Sequence, residues 1–425
     1  MSHFTFVHAA DLHLDTPFEG LGRVAPEIAD VLRDSSLAAW DALVVLCIER
    51  EARLLLLAGD IYDGEERGLR AQLRFLRGLE RLSERGVRVL IAHGNHDPHG
   101  GRWSAIRQWP AGVSMFSQEG VESFPVNDDT GREVAIVHGI SHASRTVAEN
   151  LALRFRRGPE PLLHLGVLHC NAGGDLNHPA YAPCTIDDLR SAGMDYWALG
   201  HIHQHRVLSA GDPWIVYAGG LQGRSLKPGE VGIKGAIVGS LANGALSGIE
   251  FVPVPHVRFA ELDVDIGDVA DAARLLDRLE EEAQAVQDEG PAVGLVARVT
   301  LVGRGPLHGD LASPDRVAEL LKTMREETRG RRPFLWWSGI IAGTRPDLDR
   351  DAIRRRGDFS AELLHLTDRL RDDEKALSRF AQEEEAALQA GALRKFVARV
   401  PGHPSQVLED AETLALERLE ARSGQ

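Results

Sequence analysis

Seven side chains of the kinds that bind divalent metals in proteins stand at the ends of five short apolar runs. Two of them form the pair Asp11-x-His13, and two more form His201-x-His203. Residues two apart in an extended segment project from the same face, so each pair can bind one ion. Carboxylate, amide and imidazole groups without thiolates suit Mn²⁺, Fe²⁺ or Mg²⁺ and, less exclusively, Zn²⁺. We therefore predict a metal site formed by Asp11, His13, Asp60, Asn95, His169, His201 and His203.

This set contains more ligands than one ion uses, so it predicts two ions. Two ions about 3.5 to 4 Å apart, bridged by one carboxylate, serve in-line displacement at phosphorus because they activate a water and stabilise charge on the phosphate oxygens. His96 follows the predicted ligand Asn95 and cannot easily bind the same ion. We predict that His96 donates a proton to the leaving oxygen and that Asp97 orients the His96 ring.

The elements that position these residues follow from the hydrophobic pattern. Each ligand motif comes after a short aliphatic run typical of a buried strand, and helical stretches at Glu27–Arg50 and Leu69–Arg85 lie between the runs. The later strands, near 214–218, 235–239 and 246–253, follow one another without long helices. An α/β domain with a mixed sheet or a pair of packed sheets therefore fits better than a purely parallel sheet.

The remainder of the chain shows two further patterns. A strand, helix, strand, helix, strand order predicts a small separate α/β domain, and the chain after Pro346 is mostly helical and strongly charged. Its apolar positions form a heptad-like stripe from Leu363 to Phe380. The predicted domains are residues 1–256, 257–345 and 346–425.

Taken together and in order, the five motifs resemble those of the calcineurin-like metallophosphoesterases. The residues around them and the trailing small domain are similar to DNA-repair exonucleases of the SbcD type, especially its YhaO branch. The resemblance implies a β-sandwich flanked by helices, a small α/β capping domain and a helical C-terminal tail. The motifs that carry it are Asp11-x-His13, Gly59-Asp60, Gly94-Asn95-His96-Asp97, His169 and Gly200-His201-x-His203.

The resemblance also implies roles for individual residues. His96 matches the catalytic histidine of the family, and Asp60 matches its bridging carboxylate. Many relatives carry a second catalytic histidine three residues beyond that aspartate, where this chain has Asp63. We expect Asp63 to orient a neighbouring group or to face the substrate. The implied ligands of one manganese are Asp11, His13, Asp60 and His203, and those of the other are Asp60, Asn95, His169 and His201.

Net charge gives a conflicting indication about the partner. The 425 residues carry a formal charge of −15, which taken alone argues against a nucleic-acid partner. Between Lys322 and Arg356, however, basic residues outnumber acidic ones ten to five. This segment either contacts phosphates or forms a solvated, salt-bridged surface. The candidate DNA contacts are Arg325, Arg329, Arg331, Arg332, Arg354, Arg355 and Arg356.

Other features concern compartment and assembly. Three isolated cysteines argue against a disulfide framework, and no apolar run approaches the roughly 18 residues of a membrane helix, so we expect a cytoplasmic protein. In the SbcD-type family the C-terminal helices bind the coiled-coil base of an SbcC-like ATPase. The Leu363–Phe380 stripe and the 406–422 helix either do the same or pack on their own domain. A homodimer is a further expectation.

The sequence therefore predicts a two-metal, Mn²⁺-dependent phosphodiesterase that acts on DNA as a repair exonuclease or endonuclease subunit. One alternative is a phosphatase or phosphodiesterase for small nucleotides or phosphoproteins, because the core motifs are compatible with it. The other is a metal-binding scaffold that docks the ATPase. The intact Asn95-His96-Asp97 argues against the scaffold, since a scaffold needs no proton donor.

Overall fold

The structure of this chain is a computed structural model, and it places fifteen strands and ten α-helices in the residues that it describes. It describes residues 4–16, 26–64, 68–97, 106–128, 130–175, 179–242, 244–254, 257–390 and 404–423.

Six strands form the first sheet. They are β1 (Phe4–Ala9), β2 (Leu54–Ala58), β3 (Arg88–Ala92), β4 (Val113–Met115), β11 (Gly235–Ala242) and β12 (Ala245–Pro253). The order across the sheet is β12-β11-β1-β2-β3-β4, with β1 parallel to β2 and antiparallel to β11. All five residues of β2 are buried, because both faces of the sheet are covered, and a strand covered on both faces reads as a continuous apolar run.

A second six-stranded sheet is also mixed. Its strands are β5 (Glu122–Asn127), β6 (Glu133–Gly139), β7 (Leu163–His169), β8 (Tyr196–Gly200), β9 (Arg206–Ser209) and β10 (Trp214–Tyr217). Their order is β5-β6-β7-β8-β10-β9, and β6, β7, β8 and β10 run parallel to one another. The two outer strands are antiparallel to their neighbours.

The two sheets share a core and are flanked by helices. Phe6 of β1 and Leu165 of β7 belong to the apolar cluster between the sheets, whereas Val7 lies on the opposite face of β1. That outer face packs against α1 (Pro26–Glu49) and α2 (Leu69–Glu84), and α3 (Ile186–Ser191) packs on the outer face of the second sheet. The expected pair of packed sheets flanked by helices is confirmed.

The small α/β region has a three-stranded sheet of order β13-β14-β15. Its elements are β13 (Val257–Asp265), α4 (Ala272–Asp288), β14 (Gly294–Val302), α5 (His308–Leu311), α6 (Pro314–Glu327) and β15 (Phe334–Ala342). The chain divides into two compact units, one of residues 1–262, 280–299 and 321–340, and the other of residues 263–279, 300–320 and 341–425. The domain boundaries drawn from the sequence stay predictions, and residue 256 lies outside the described residues.

Four helices follow. They are α7 (Arg350–Arg356), α8 (Phe359–Asp372), α9 (Glu374–Ala390) and α10 (Pro404–Ser423). Ile353, Leu364 and Leu416 form their buried apolar cluster. The stripe predicted from Leu363 to Phe380 is not one buried line, because Leu366 is 48% exposed and Phe380 is 44% exposed. None of the described helices is long and apolar enough to cross a membrane.

Candidate metal centre

The seven predicted ligands meet where five strands end. Asp11 and His13 follow β1, Asp60 follows β2, and Asn95 follows β3 in the first sheet, while His169 ends β7 and the His201 pair follows β8 in the second. Because β1, β2 and β3 are parallel, as are β7 and β8, their carboxyl ends share an edge within each sheet. Backbone hydrogen bonds tie the loops together, with Asp11 N donating to Gly59 O at 3.1 Å and His13 N to Asp60 O at 3.0 Å.

Asp60 lies between two histidines. Its Oδ2 is 3.8 Å from His13 Nε2 and 3.4 Å from His169 Nε2. His169 Nε2 is also 3.0 Å from Asn95 Oδ1. Among the described residues, three groups of ligand atoms are close enough together to hold one ion: Asp11, His13 and His203; Asp11, Asp60 and His169; and His13, Asp63 and His96. The Asp60 carboxylate thus faces imidazoles from both sheets.

The histidines are oriented by hydrogen bonds from one ring nitrogen. His169 Nδ1 donates to Ala58 O at 2.9 Å, and His203 Nδ1 donates to Glu230 Oε1 at 2.8 Å. In each case the lone pair of Nε2 is directed into the cluster, as is usual for metal-binding histidines. His201 Nε2 donates to Pro179 O at 3.0 Å, which fixes the orientation of that ring.

Two nitrogens in the cluster face each other. His13 Nε2 and His203 Nε2 are 3.2 Å apart, and His13 Nδ1 is buried without a hydrogen-bond partner. Two neutral imidazole lone pairs at this distance repel each other unless a shared proton or a cation lies between them. Together with the two buried carboxylates, this contact fits the donor set of a divalent metal.

The backbone at the site is strained. Asp11, His13 and Asp60 have φ angles of 52°, 43° and 52°, and His201 has a φ of 103°. Non-glycine residues seldom adopt positive φ, and each such residue costs on the order of 1 kcal/mol or more. Strain of this kind persists only where the surrounding structure fixes it, and here it is concentrated in candidate ligands.

Glycines next to the ligands allow close approach. A Cβ at Gly94 would lie 2.2 Å from Asp60 Oδ1, and one at Gly200 would lie 1.9 Å from Ala58 O and 2.9 Å from His169 Nδ1. Gly59 combines a φ of 93° with a Cβ position 2.4 Å from His169 Nδ1. Any side chain at these positions displaces a ligand, so the glycines are part of the site geometry.

The buried carboxylates have opposite pKa shifts. Burial raises the pKa of Asp11. Burial also opposes ionisation of Asp60, but the imidazoles around it, His169 foremost, hold its pKa well below the usual range. Although burial lowers the pKa of His169, the attraction of Asp60 outweighs burial and raises that pKa to about 9. The cluster therefore attracts positive charge, which protons supply when no cation is bound.

His96 lies beside the cluster, with its ring centroid 5.1 Å from that of His13. Its Nδ1 donates to Asp63 Oδ1 at 2.5 Å, and this hydrogen bond, the largest cause, raises the pKa of His96 and lowers that of Asp63 to about 2. The prediction that Asp97 orients the His96 ring is wrong. The carboxylate of Asp97 accepts from Gly94 N and Ile61 N, both at 2.9 Å, so it fixes the loop backbone while Asp63 holds the ring.

Three residues near the site were not predicted. Glu230 accepts from His203, Arg224 Nη2 donates to Glu230 Oε1 at 2.9 Å, and Lys234 Nζ donates to His203 O at 2.6 Å. Burial lowers the pKa of Lys234 to about 8. The only signal for them is the glycine-rich segment 219–235 directly after β10. This segment contains no pair of ligand-type residues at the spacing typical of metal sites, so the sequence did not predict a role for it.

The candidate DNA contacts fall into both units. In the first unit, Arg325 stacks over Trp336 at 4.5 Å and donates to Trp337 O, and Arg331 pairs with Glu280. Arg329 and Arg332 are exposed. In the second unit, Arg354 pairs with Asp351 and Asp368, Arg356 pairs with Asp358 and Glu420, and Arg355 is exposed. Arg354 and Arg356 thus fit the salt-bridged alternative better than a phosphate contact.

Comparison with known proteins identifies the family. Residues 4–205 match the calcineurin-like phosphoesterases, and residues 259–345 match the middle domain of metallophosphoesterase YhaO. The chain is 35% identical over 336 residues to a protein of Bacillus subtilis (strain 168) described as an uncharacterized metallophosphoesterase YhaO, covering 79% of this chain and 81% of the relative. The chain is a calcineurin-like metallophosphoesterase of the YhaO family. The resemblance seen in the motifs is confirmed.

More distant relatives of this metallophosphoesterase are named as DNA double-strand break repair proteins Mre11. That of Sulfurisphaera tokodaii is 26% identical over 49% of this chain and 51% of its own length. That of Aeropyrum pernix is 27% identical over 62% of this chain and 64% of its own length. All seven candidate ligands lie inside the matched phosphoesterase region, whereas Arg224, Glu230 and Lys234 lie beyond it.

Proposed function

We propose that this metallophosphoesterase hydrolyses DNA phosphodiester bonds with two Mn²⁺ ions, as a DNA-repair nuclease subunit. The observation that carries the proposal is the cluster of buried oxygen and nitrogen ligands around Asp60, with His96 beside it. A protein that only stored metal would have no use for a half-exposed histidine held by a carboxylate at the edge of the cluster.

The ligand geometry supports a division between two ions. Asp60 would bridge them, since its Oδ2 lies between His13 and His169. Bound divalent ions polarise a phosphoester and lower the pKa of a water. One ion would be held by Asp11, His13, Asp60 and His203, and the other by Asp60, Asn95, His169 and His201.

His96 would act on the leaving group. Its Nδ1 is engaged by Asp63, so Nε2 is the ring atom that can meet the substrate. A proton delivered from Nε2 to the departing oxygen prevents an unfavourable alkoxide from forming, and general acid catalysis of this kind contributes about 10²- to 10⁴-fold in rate.

DNA as the substrate is supported by the Mre11 relatives and by one surface. Lys322, Arg325, Arg329 and Arg332 line a surface pocket together with Trp336. Several cationic side chains on one surface suit a nucleic acid, because they neutralise phosphate charges.

An SbcC-like ATPase is the proposed partner, through the C-terminal helices. Large apolar side chains are exposed there, including Phe359 at 72% and Leu414 at 51%. Apolar groups left in water on a charged helical surface are typical of a docking face. A homodimer is proposed as the assembly that presents two such faces.

The direct experiment compares substrates. The purified protein with Mn²⁺ is incubated in parallel with linear duplex DNA, single-stranded DNA and a chromogenic phosphodiester. His96→Asn and Asp60→Ala are the test variants, and Asp30→Ala, which removes an exposed carboxylate on α1, is the matched control. We expect DNA cleavage by the parent and the control, retained metal with DNA turnover lowered by about 10²- to 10⁴-fold in His96→Asn, and reduced metal content in Asp60→Ala.

Each alternative has its own outcome. Cleavage of the small ester without cleavage of either DNA would favour a small-molecule phosphodiesterase. Two bound metals with every substrate intact would favour a scaffold. Full metal occupancy in Asp60→Ala, measured by elemental analysis, contradicts the bridging role.

A further inference from the structure

Arg224 connects two parts of the site that are far apart in sequence. Its side chain is 17% exposed. The guanidinium donates through Nη2 to Glu230 Oε1 at 2.9 Å and through Nη1 to Asp63 Oδ2 at 3.4 Å. Its backbone N also donates to Glu230 Oε2 at 3.1 Å, so both ends of Arg224 are fixed.

Asp63 uses its two oxygens for two different partners. Oδ1 accepts from His96 Nδ1 and Oδ2 accepts from Arg224. Glu230 in turn accepts from His203 Nδ1. A continuous hydrogen-bonded chain therefore runs from His96 through Asp63, Arg224 and Glu230 to His203, and it joins the candidate proton donor to a candidate metal ligand.

Such a chain has a defined mechanical effect. A carboxylate that accepts from one ring nitrogen fixes the tautomer and the plane of an imidazole, but an Asp side chain can turn about its own χ angles. A guanidinium on the second oxygen removes that freedom, because its donors lie in one rigid plane. The charge of Arg224 is compensated by the carboxylates of Asp63 and Glu230, so little of it remains for a phosphate.

We propose that Arg224 is a positioning residue that holds Asp63, and through Asp63 the ring of His96, in the geometry for proton donation. This rests on the proposed function. In that reaction water adds to phosphorus, the bond from phosphorus to the leaving oxygen breaks, and this oxygen receives the proton from His96 Nε2. The attacking water releases its own proton to solvent, and His96 then takes up a proton from solvent.

The test varies the leaving group. A p-nitrophenolate leaves without a proton, whereas the sugar hydroxyl of a dinucleotide needs one. Loss of positioning therefore slows the dinucleotide selectively. For Arg224→Met with Mn²⁺ we expect kcat on a dinucleotide to fall on the order of 10-fold or more, with KM unchanged and less than 3-fold loss on bis-p-nitrophenyl phosphate. Asp63→Asn should show the same selectivity with a larger loss.

Three further variants test whether the effect is specific to Arg224 and acts through His96. Arg157→Met removes an arginine that pairs with Asp195 at 2.8 Å on a distant part of the surface, and it should leave both substrates unaffected. In a His96→Asn background, Arg224→Met should cause no additional loss on the dinucleotide, since the residue acts through His96. Arg224→Lys should restore only part of the rate, because an ammonium lacks the planar pair of donors.

The outcomes separate this proposal from the proposed function. If the parent protein cleaves no phosphodiester, the proposed function fails. If the parent is active but Arg224→Met slows both substrates equally, raises KM alone, or still lowers the rate in the His96→Asn background, the positioning role is wrong. A rise in KM alone would make Arg224 a phosphate contact instead.

Discussion

Two regions of this metallophosphoesterase bury carboxylates, and they do so with different partners. In the metal centre, Asp11 and Asp60 face imidazoles. In the C-terminal helices, the side chain of Glu412 is 1% exposed and faces Arg350 at 2.9 Å and Arg371 at 3.1 Å. An imidazole can exchange its proton for a metal, whereas a guanidinium keeps its charge at all relevant pH values. The first arrangement is open to a metal ion, whereas in the second the carboxylate charge is already paired with two permanent positive charges.

The largest effect is expected in the metal centre, at a glycine whose backbone packs directly against the end of β2. Gly200→Ala would place a Cβ 1.9 Å from Ala58 O, a contact that no side-chain rotation relieves. We expect at least about 3 kcal/mol of destabilisation and loss of bound Mn²⁺. Urea unfolding and elemental analysis measure the two effects. Gly120→Ala, where a Cβ meets nothing within 4 Å, should be nearly neutral, and an equal loss in both variants would contradict the close-approach argument.

The arrangement of Glu412 between two arginines is tested by Glu412→Gln. It leaves Arg350 and Arg371 without their shared carboxylate and weakens the hydrogen bond from Thr367. Because both arginines reach solvent, we expect a loss of about 2 kcal/mol rather than the larger cost of a fully buried pair. Calorimetric titration should show unchanged Mn²⁺ affinity. Glu409→Gln, on the exposed side of the same helix, is the control. A change in the Mn²⁺ affinity of Glu412→Gln would contradict the view that this carboxylate has no role in metal binding.

His8 is a third kind of buried titratable group, an imidazole without a carboxylate partner. His8 Nε2 donates to Leu199 O at 3.2 Å, so Nδ1 accepts from the Tyr196 hydroxyl at 2.9 Å. Burial lowers the pKa of His8 from 6.5 to about 3. The unfolded chain then binds the extra proton, so this contribution to stability is present above pH 6.5 and is lost as the pH falls.

Quantitatively, the lost contribution between pH 7 and pH 5 should be roughly 2 kcal/mol. Urea unfolding of the metal-free protein should show that difference between the parent and His8→Gln. His365→Gln, at an exposed position of α8, should retain the full pH dependence of the parent. If the unfolding free energies of the parent and of His8→Gln changed equally with pH, His8 would not be neutral in the folded protein.

The smallest effect is expected for charges that are neither buried nor open to a ligand. Arg316 and Glu319 pair at 3.3 Å on α6, with side chains 64% and 68% exposed. Arg316→Ala should change the unfolding free energy by less than about 0.5 kcal/mol, because solvent screens such pairs. A loss above 1 kcal/mol in urea unfolding would indicate a contact that the exposed pair does not explain.

The sequence was most informative where chemistry and strand ends coincide. The candidate ligands were predicted because each follows an apolar run, and the structure brings them together. Asp63 was expected to orient a neighbouring group or to face the substrate, but the sequence did not say that this group is His96, nor that Glu230 pairs with His203. Both pairings depend on loops whose course the sequence pattern does not determine. Asp97 was assigned to the wrong neighbour because adjacency in sequence suggested a contact that the turn directs elsewhere.

The long span of the cluster has a consequence for biosynthesis. The amide of His201 donates to the carboxylate of Asp11 across a separation of 190 residues. Contacts of such range form late, because the chain entropy of closing the loop must be overcome first. A nascent chain from which Glu230 has not yet emerged lacks the group that orients His203. Uptake of a divalent metal should therefore mark completion of the phosphoesterase domain during translation.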